Sequence, residues 1–263
     1  MRILSALILI AAFIIFNSTH DASAATVIKS NVEFGCYIAL NGAIDKRTDI
    51  DLATAYNSFD KDKLDNCGTA ILILNSNGGD VDAAIRAGNF VREKNMTTTV
   101  FGPESCASAC VLIFLGGVNR NIVGKSARIG LHRPYSVNYS DSTAAAKDSY
   151  EKINHQVRQY LDRMNIPDNL LNIMNSVPPA EVKWLTRKYD YNQLKALFIV
   201  GKDPVWEEQH DSMEAKKLGI TKAELYSRRS KQNAKAGNFG EELDAILEDQ
   251  CYDMKQMKWG NCQ

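Results

Sequence analysis

AILILNSNGGDV, residues 70–81, is the stretch whose reading decides the fold. It opens on an unbroken apolar run closed by a polar turn, the pattern of a short strand with both faces covered. Asn75-Ser76-Asn77-Gly78-Gly79 turns the chain, and residues 80–94 then space Val81, Ala84, Ile85, Ala87 and Phe90 along one stripe of a helix. Asp80 or Asp82 stands where the positive end of that helix favours an anion. Toward the N-terminus, residues 36–40 read as a strand and 49–59 as a helix, with Ile50, Leu52, Ala53 and Tyr56 at helical spacing. With residues 70–74 they make a right-handed βαβ unit. Toward the C-terminus, 97–101 is the next strand, Cys106-Ala107-Ser108-Ala109-Cys110 opens an apolar helix, and 127–131 is a short strand ending at His132. The fold class is α/β.

A serine, a histidine and a Gly-Gly loop on such a scaffold suit acyl transfer. A serine hydroxyl attacks a carbonyl only when a base takes its proton, and a strand-to-helix turn exposes it beside the helix's unpaired N–H groups. Ser108 is at such a turn. His132, at a strand end, is placed to be the base. The charge that develops on the attacked oxygen needs preorganised donors, which the Ala109 amide and the Gly78-Gly79 loop can supply, glycine permitting the close approach.

Three separated pieces resemble the proteolytic subunit of the Clp protease, within the wider ClpP/crotonase superfamily. They are LILNSNGGDV (72–81) with the helix running on to Arg92, GPESCASACVLIFL (102–115) and ARIGLHRP (127–134), in the family's order and close to its spacing. The resemblance spans residues 32–220 and implies a fold of repeated ββα and βαβ units around a spiral of mostly parallel strands. By that resemblance Ser108 is the nucleophile, His132 the base, and the amides of Gly79 and Ala109 form the oxyanion hole. It also implies a homo-oligomer, with contacts built by the helix over 147–164.

The family's third catalytic residue is missing. Its aspartate belongs after the helix near 168–174, where this chain has Asn175-Ser176-Val177-Pro178-Pro179. Glu181 is the nearest carboxylate downstream and Asp168 the nearest upstream; a displaced loop would bring either to the imidazole. A neutral hydrogen bond from Asn175 or Ser176 is the preferred reading. Losing the acid lowers activity without abolishing it, because the oxyanion hole and binding retain part of the catalysis.

Residues 1–24 read as a signal peptide: Arg2, an apolar core at 3–16, and Ala22-Ser23-Ala24 as the cleavage site. That core is short for a membrane span, so cleavage, export to a secreted or periplasmic location and no stable membrane insertion are expected. The domain is assigned to 25–220 and a charged tail to 221–263. The six cysteines suggest disulfides in an exported chain: Cys36 with Cys67, Cys251 with Cys262 in a tail loop, and Cys106 with Cys110 left open. In a regular helix the last two would hold their Cβ atoms too far apart. Residues 136–146 read as a loop, 178–186 and 211–220 as the last helices of the domain, 194–200 as an added strand and 241–247 as an amphipathic piece.

Thirty-one basic and thirty-one acidic residues leave no net field for a nucleic acid. No cofactor is called for, and no cysteine and histidine spacing supports a metal. The leading function is an exported, ATP-independent serine peptidase acting on a peptide or protein substrate. The alternatives are a catalytically degenerate binding or scaffold protein, a crotonase-type thioester hydrolase, and a Ser-Lys dyad using Lys125. His155 and His210 are the rivals of His132 for the base.

Overall fold

The computed structural model describes residues 24–30, 36–60, 64, 69–135, 143–236, 250–253 and 258–261. The chain has the expected mixed α/β fold. Its main sheet has six strands in the order β1-β2-β3-β4-β6-β9. These are β1 (Thr26–Ser30), β2 (Tyr37–Asn41), β3 (Ile71–Asn75), β4 (Thr97–Phe101), β6 (Asn119–Val123) and β9 (Gly201–Lys202). The four central strands β2, β3, β4 and β6 are parallel, and the edges β1 and β9 run antiparallel to their neighbours. A smaller sheet, β5-β7-β8, is built from β5 (Ser105–Ala107), β7 (Arg128–Leu131) and β8 (Lys183–Thr186). An isolated bridge from Ser76 to Cys106 links the two sheets.

The parallel order follows from the apolar runs. In β2 and β3, Ile38, Leu40, Leu72 and Leu74 enter the main core, while Ala39 and Ile73 pack on the opposite face with Tyr37, Ile71 and Phe101. Between these strands run α1 (Thr48–Asn57), α2 (Val81–Glu93) and α3 (Ala109–Gly116). Asp80 caps α2 by accepting from the Ala83 amide at 2.8 Å. Every residue of α3 is buried, which is why its sequence is apolar on all sides. α2 and α3 meet at Gly88 and Gly116, where a Cβ on Gly116 would come within 2.4 Å of the Gly88 carbonyl oxygen.

The later helices are α4 (Thr143–Arg163), α5 (Asp168–Ser176), α6 (Arg187–Ala196), α7 (Pro204–Leu218) and α8 (Lys222–Ala236). A buried polar cluster ties α7 to the core. Asp203, fully buried, accepts from Arg92 Nη1 at 2.9 Å, from Asn165 Nδ2 at 3.1 Å and from the Trp206 amide at 2.9 Å, the last capping α7. Arg120 is buried nearby, its Nη1 donating to the Gly117 carbonyl at 2.9 Å, and burial pushes its guanidinium down to about 10.

Three expectations are corrected. Residues 178–186 do not form a helix: 183–186 are β8, which pairs antiparallel with β7 from Leu131↔Lys183 to Arg128↔Thr186. Residues 194–200 do not form a strand but close α6, where Leu194 and Leu197 are buried at helical spacing and the Ile199 amide returns to the Leu194 carbonyl at 2.9 Å. The positive φ of Phe198, 55°, makes that reversal. Residues 143–146, read as loop, belong to α4, and 211–220 fall largely within α7. Residues 1–23 of the expected signal peptide, Cys67, the residues 136–142 expected as loop, the expected 241–247 piece and the expected Cys251–Cys262 pairing lie outside the described residues and side chains. Cys36 is disulfide-bonded. Among the described residues no helix is long and apolar enough to cross a membrane.

Candidate active site

β5 and β7 run parallel, with Cys106 opposite Ile129 and Ala107 opposite Gly130. The pairing continues one step further, because the Ser108 amide donates to the Gly130 carbonyl at 3.0 Å. Ser108 and His132 therefore leave the same end of two adjacent strands. Ser76 fixes the other side of β5: its amide donates to Ser105 O and its carbonyl accepts from the Ala107 amide, both at 2.9 Å.

At Ser108 the backbone takes φ 56° and ψ −129° and enters α3 directly. A residue other than glycine pays about 1–3 kcal/mol for such a conformation and holds it only when its surroundings impose it. Here β5 imposes it from one side and α3 from the other. The Cys106–Cys110 disulfide, Cα atoms 5.3 Å apart, closes the same turn. Cys106 lies in β5 and not in the helix, which removes the spacing problem that regular helix geometry would pose. The Ser108 hydroxyl does not cap α3 although the residue is the N-cap, and the residue is partly exposed.

Gly78 has φ 101°, and a Cβ there would fall 2.5 Å from Ser108 Cβ, 2.9 Å from Ala107 O and 3.0 Å from Ala109 N. The Gly-Gly loop thus rests directly on the elbow, at a distance no side chain allows. The Gly78 amide donates to the Ser76 hydroxyl at 3.1 Å. The Ile44 amide donates to the Gly78 carbonyl and the Ile44 carbonyl accepts from the Asp80 amide, both at 2.8 Å, so Gly79's own N–H and C=O point away from Ile44. Ala109 is the first residue of α3, and its N–H has no acceptor within the helix. Among the described residues neither of the two amides expected to hold an oxyanion, Gly79 and Ala109, has a backbone acceptor.

His132 is buried, its Nδ1 3.0 Å from the carbonyl oxygen of Arg133. A carbonyl only accepts, so in the neutral ring this contact assigns the proton to Nδ1 and leaves Nε2 its lone pair. Among the described residues no hydrogen bond joins His132 to Ser108 Oγ, and no carboxylate reaches the ring. Such bonds are often long before substrate arrives.

No hydrogen bond or ion pair joins the imidazole to Glu181, Asp168, Asn175 or Ser176. Glu181 is exposed, and Asp168 pairs with Arg158 at 2.6 Å. Ser176 Oγ donates to the Ile173 carbonyl at 2.7 Å. Asn175 Oδ1 accepts from Asn154 Nδ2 at 2.9 Å, while its main-chain carbonyl accepts from Arg133 Nε at 3.0 Å. The ring's partner is instead a main-chain carbonyl, which leaves no mark in residue type. The available clue is the Arg133-Pro134 dipeptide, since proline holds the residue before it extended. The Ser76 hydroxyl that fixes Gly78 is a second contact that residue type did not signal.

Lys125 is exposed in the turn between β6 and β7, and His155 is exposed on α4. His210 stacks on Trp206 with ring centroids 4.6 Å apart. His210, Asp211 and Glu214 bring possible ligand atoms within 4.8 Å of one another. Arg229 already engages both acids, at 2.8 Å from Asp211 and 2.5 Å from Glu214, so the cluster is an ion-pair network joining α7 to α8.

No family model matches the chain, and no curated protein matches it. Among solved structures it is similar to a mutant form of ClpP1 from Listeria monocytogenes, with a TM-score of 0.45 and 16% identity over 62% of this chain and 88% of that one.

Proposed function

We propose that this chain is a serine-type peptidase in which Ser108 attacks the substrate carbonyl, His132 is the base, and the amides of Gly79 and Ala109 hold the oxyanion. The observation that carries the reading is the Ser108 elbow: a serine held at φ 56° between a strand and a buried helix, its hydroxyl not used as a cap. The Gly78-Gly79 loop against it and the three sequence pieces quoted above support the same assignment.

As the Oγ–C bond forms, the hydroxyl proton passes to His132 Nε2 and negative charge moves to the carbonyl oxygen, where the two N–H groups meet it. Collapse of the tetrahedral species expels the amine, which takes the proton from Nε2. Water then repeats the sequence on the acyl-enzyme, with the same base. The Nδ1 proton stays in place throughout. The substrate is a peptide or protein segment, the working form a homo-oligomer, and the compartment outside the cytoplasm. The signal-like N-terminus and a disulfide at the elbow support that compartment.

A second reading, a binding protein that has lost turnover, is favoured by the missing carboxylate and by the unbonded Ser108–His132 pair. The two are separated by peptide or ester turnover. The peptidase reading requires Ser108→Ala and His132→Ala each to remove nearly all turnover in folded protein, and the double variant to be scarcely worse, because members of one catalytic unit are non-additive. Turnover unaffected by either substitution places the chemistry elsewhere.

A further inference from the structure

We infer that Arg133 is a positioning residue for the base: its main-chain carbonyl takes the place of the missing carboxylate, and its side chain holds that carbonyl in position. This deepens the peptidase reading and rests on it for its catalytic meaning, though not for its geometry.

A histidine acts as base through Nε2 only if Nδ1 carries the proton and the ring is held still. In this chain both demands fall on one contact, Nδ1 to the Arg133 carbonyl at 3.0 Å. A carbonyl belonging to the next residue is an unreliable partner unless the residue that carries it is held, and Arg133 is held from several sides. The Arg133 amide donates to the Val177 carbonyl at 3.0 Å. Its Nε donates to the Asn175 carbonyl, also at 3.0 Å. Its guanidinium lies over the Tyr150 ring, 5.7 Å from the centroid. Pro134 restricts the Arg133 backbone to extended conformations, which limits where the carbonyl can point.

The anchor is itself anchored. Asn175 lies in the last turn of α5, and its side-chain oxygen accepts from Asn154 Nδ2 at 2.9 Å on α4; the same Asn154 amide lies 3.3 Å from the Tyr150 hydroxyl. Asn175 thus acts one step removed from the ring, through its main chain and Arg133, and not as a direct orienter. The arrangement fixes the tautomer as a carboxylate would. It does not supply the negative charge that a carboxylate offers an imidazolium, so it substitutes for the orienting half of that role alone.

The test is nitrogen-resolved NMR of His132 in the full mature chain, with Ser108 labelling by a fluorophosphonate as the second readout. In wild type the neutral ring should carry its proton on Nδ1. Arg133→Ala should shift the ring toward the Nε2–H tautomer and slow labelling by roughly tenfold, the low end of what loss of an outer-shell partner removes. Its far-ultraviolet circular dichroism should be unchanged. Asn154→Ala should shift the tautomer in the same direction by less. A wild-type ring protonated on Nε2 overturns the inference whatever the variants do, and so does an unchanged tautomer in folded Arg133→Ala. A wild type that shows the Nδ1–H ring yet never labels would sink the peptidase reading and leave the orientation of His132 standing.

Discussion

Replacing Asp203 by asparagine keeps the shape and the helix cap but removes the charge on which the Arg92–Arg120 cluster depends. Asp203 is fully buried, with Arg92 Nη1 at 2.9 Å and Arg120 close by and buried. Arg92 Nη2 also reaches the carbonyls of Leu115 and Met164, but only at 3.4 Å each. Breaking a buried pair by removing one partner destabilises by about 3–5 kcal/mol, which for a domain of this size lowers the melting temperature by roughly 6–20 °C. Asp203→Ala should lose about 1 kcal/mol more, the worth of the α7 cap made to the Trp206 amide at 2.9 Å. pH gives an independent check. Burial pulls the Asp203 carboxyl up, but hydrogen bonds from Trp206, Asn165 and Arg92 together bring it below the ordinary carboxylate value. A carboxyl depressed in the folded state stabilises above its unfolded value near 4 and loses that contribution as pH falls through the folded value. Urea denaturation from pH 7 downward should therefore show wild type and Asp203→Asn far apart at neutral pH and converging below about pH 4. A difference under about 1 kcal/mol at pH 7, the worth of an exposed pair, would refute the claim that this charge is buried and structural.

Gly78→Ala should distort the elbow, because its Cβ would meet Ser108 Cβ at 2.5 Å in a backbone at φ 101°; fluorophosphonate labelling should be nearly lost, with stability down by about 2–4 kcal/mol. Gly88→Ala should destabilise without touching the site, since its Cβ would fall 2.0 Å from the Tyr160 hydroxyl, which donates to the Leu112 carbonyl at 2.6 Å; urea midpoints give the size and labelling of the folded fraction should be normal. Replacing Cys106 and Cys110 together by serine should lower stability by about 2 kcal/mol, the chain-entropy value for so short a loop, and slow Ser108 labelling by relaxing its turn. Equal labelling rates would show that β5 and α3 suffice to hold the elbow.

What could be read beforehand were features that residue type encodes. The apolar runs of β3 and α3 announce burial on all sides, and Gly78-Gly79 and Ser108 mark places where the backbone must come close or bend. β8 does not show in the sequence because a four-residue strand owes its existence to β7: only Leu185 of 183–186 is buried, while Lys183 and Trp184 are exposed. The 194–200 run reads as a strand because apolar residues that close a helix under a positive-φ Phe198 look, in one dimension, like one. The third position at the imidazole was illegible for a different reason. A main-chain carbonyl is present at every residue, and only the fold decides which one faces the ring.

The most direct test of the central claim is covalent labelling of the mature, oxidised protein with a fluorophosphonate, followed by peptide mapping, because it requires no known substrate. A single adduct on Ser108 is expected, absent in Ser108→Ala and strongly slowed in His132→Ala. No adduct on folded wild type, or an adduct that persists in Ser108→Ala, would contradict it.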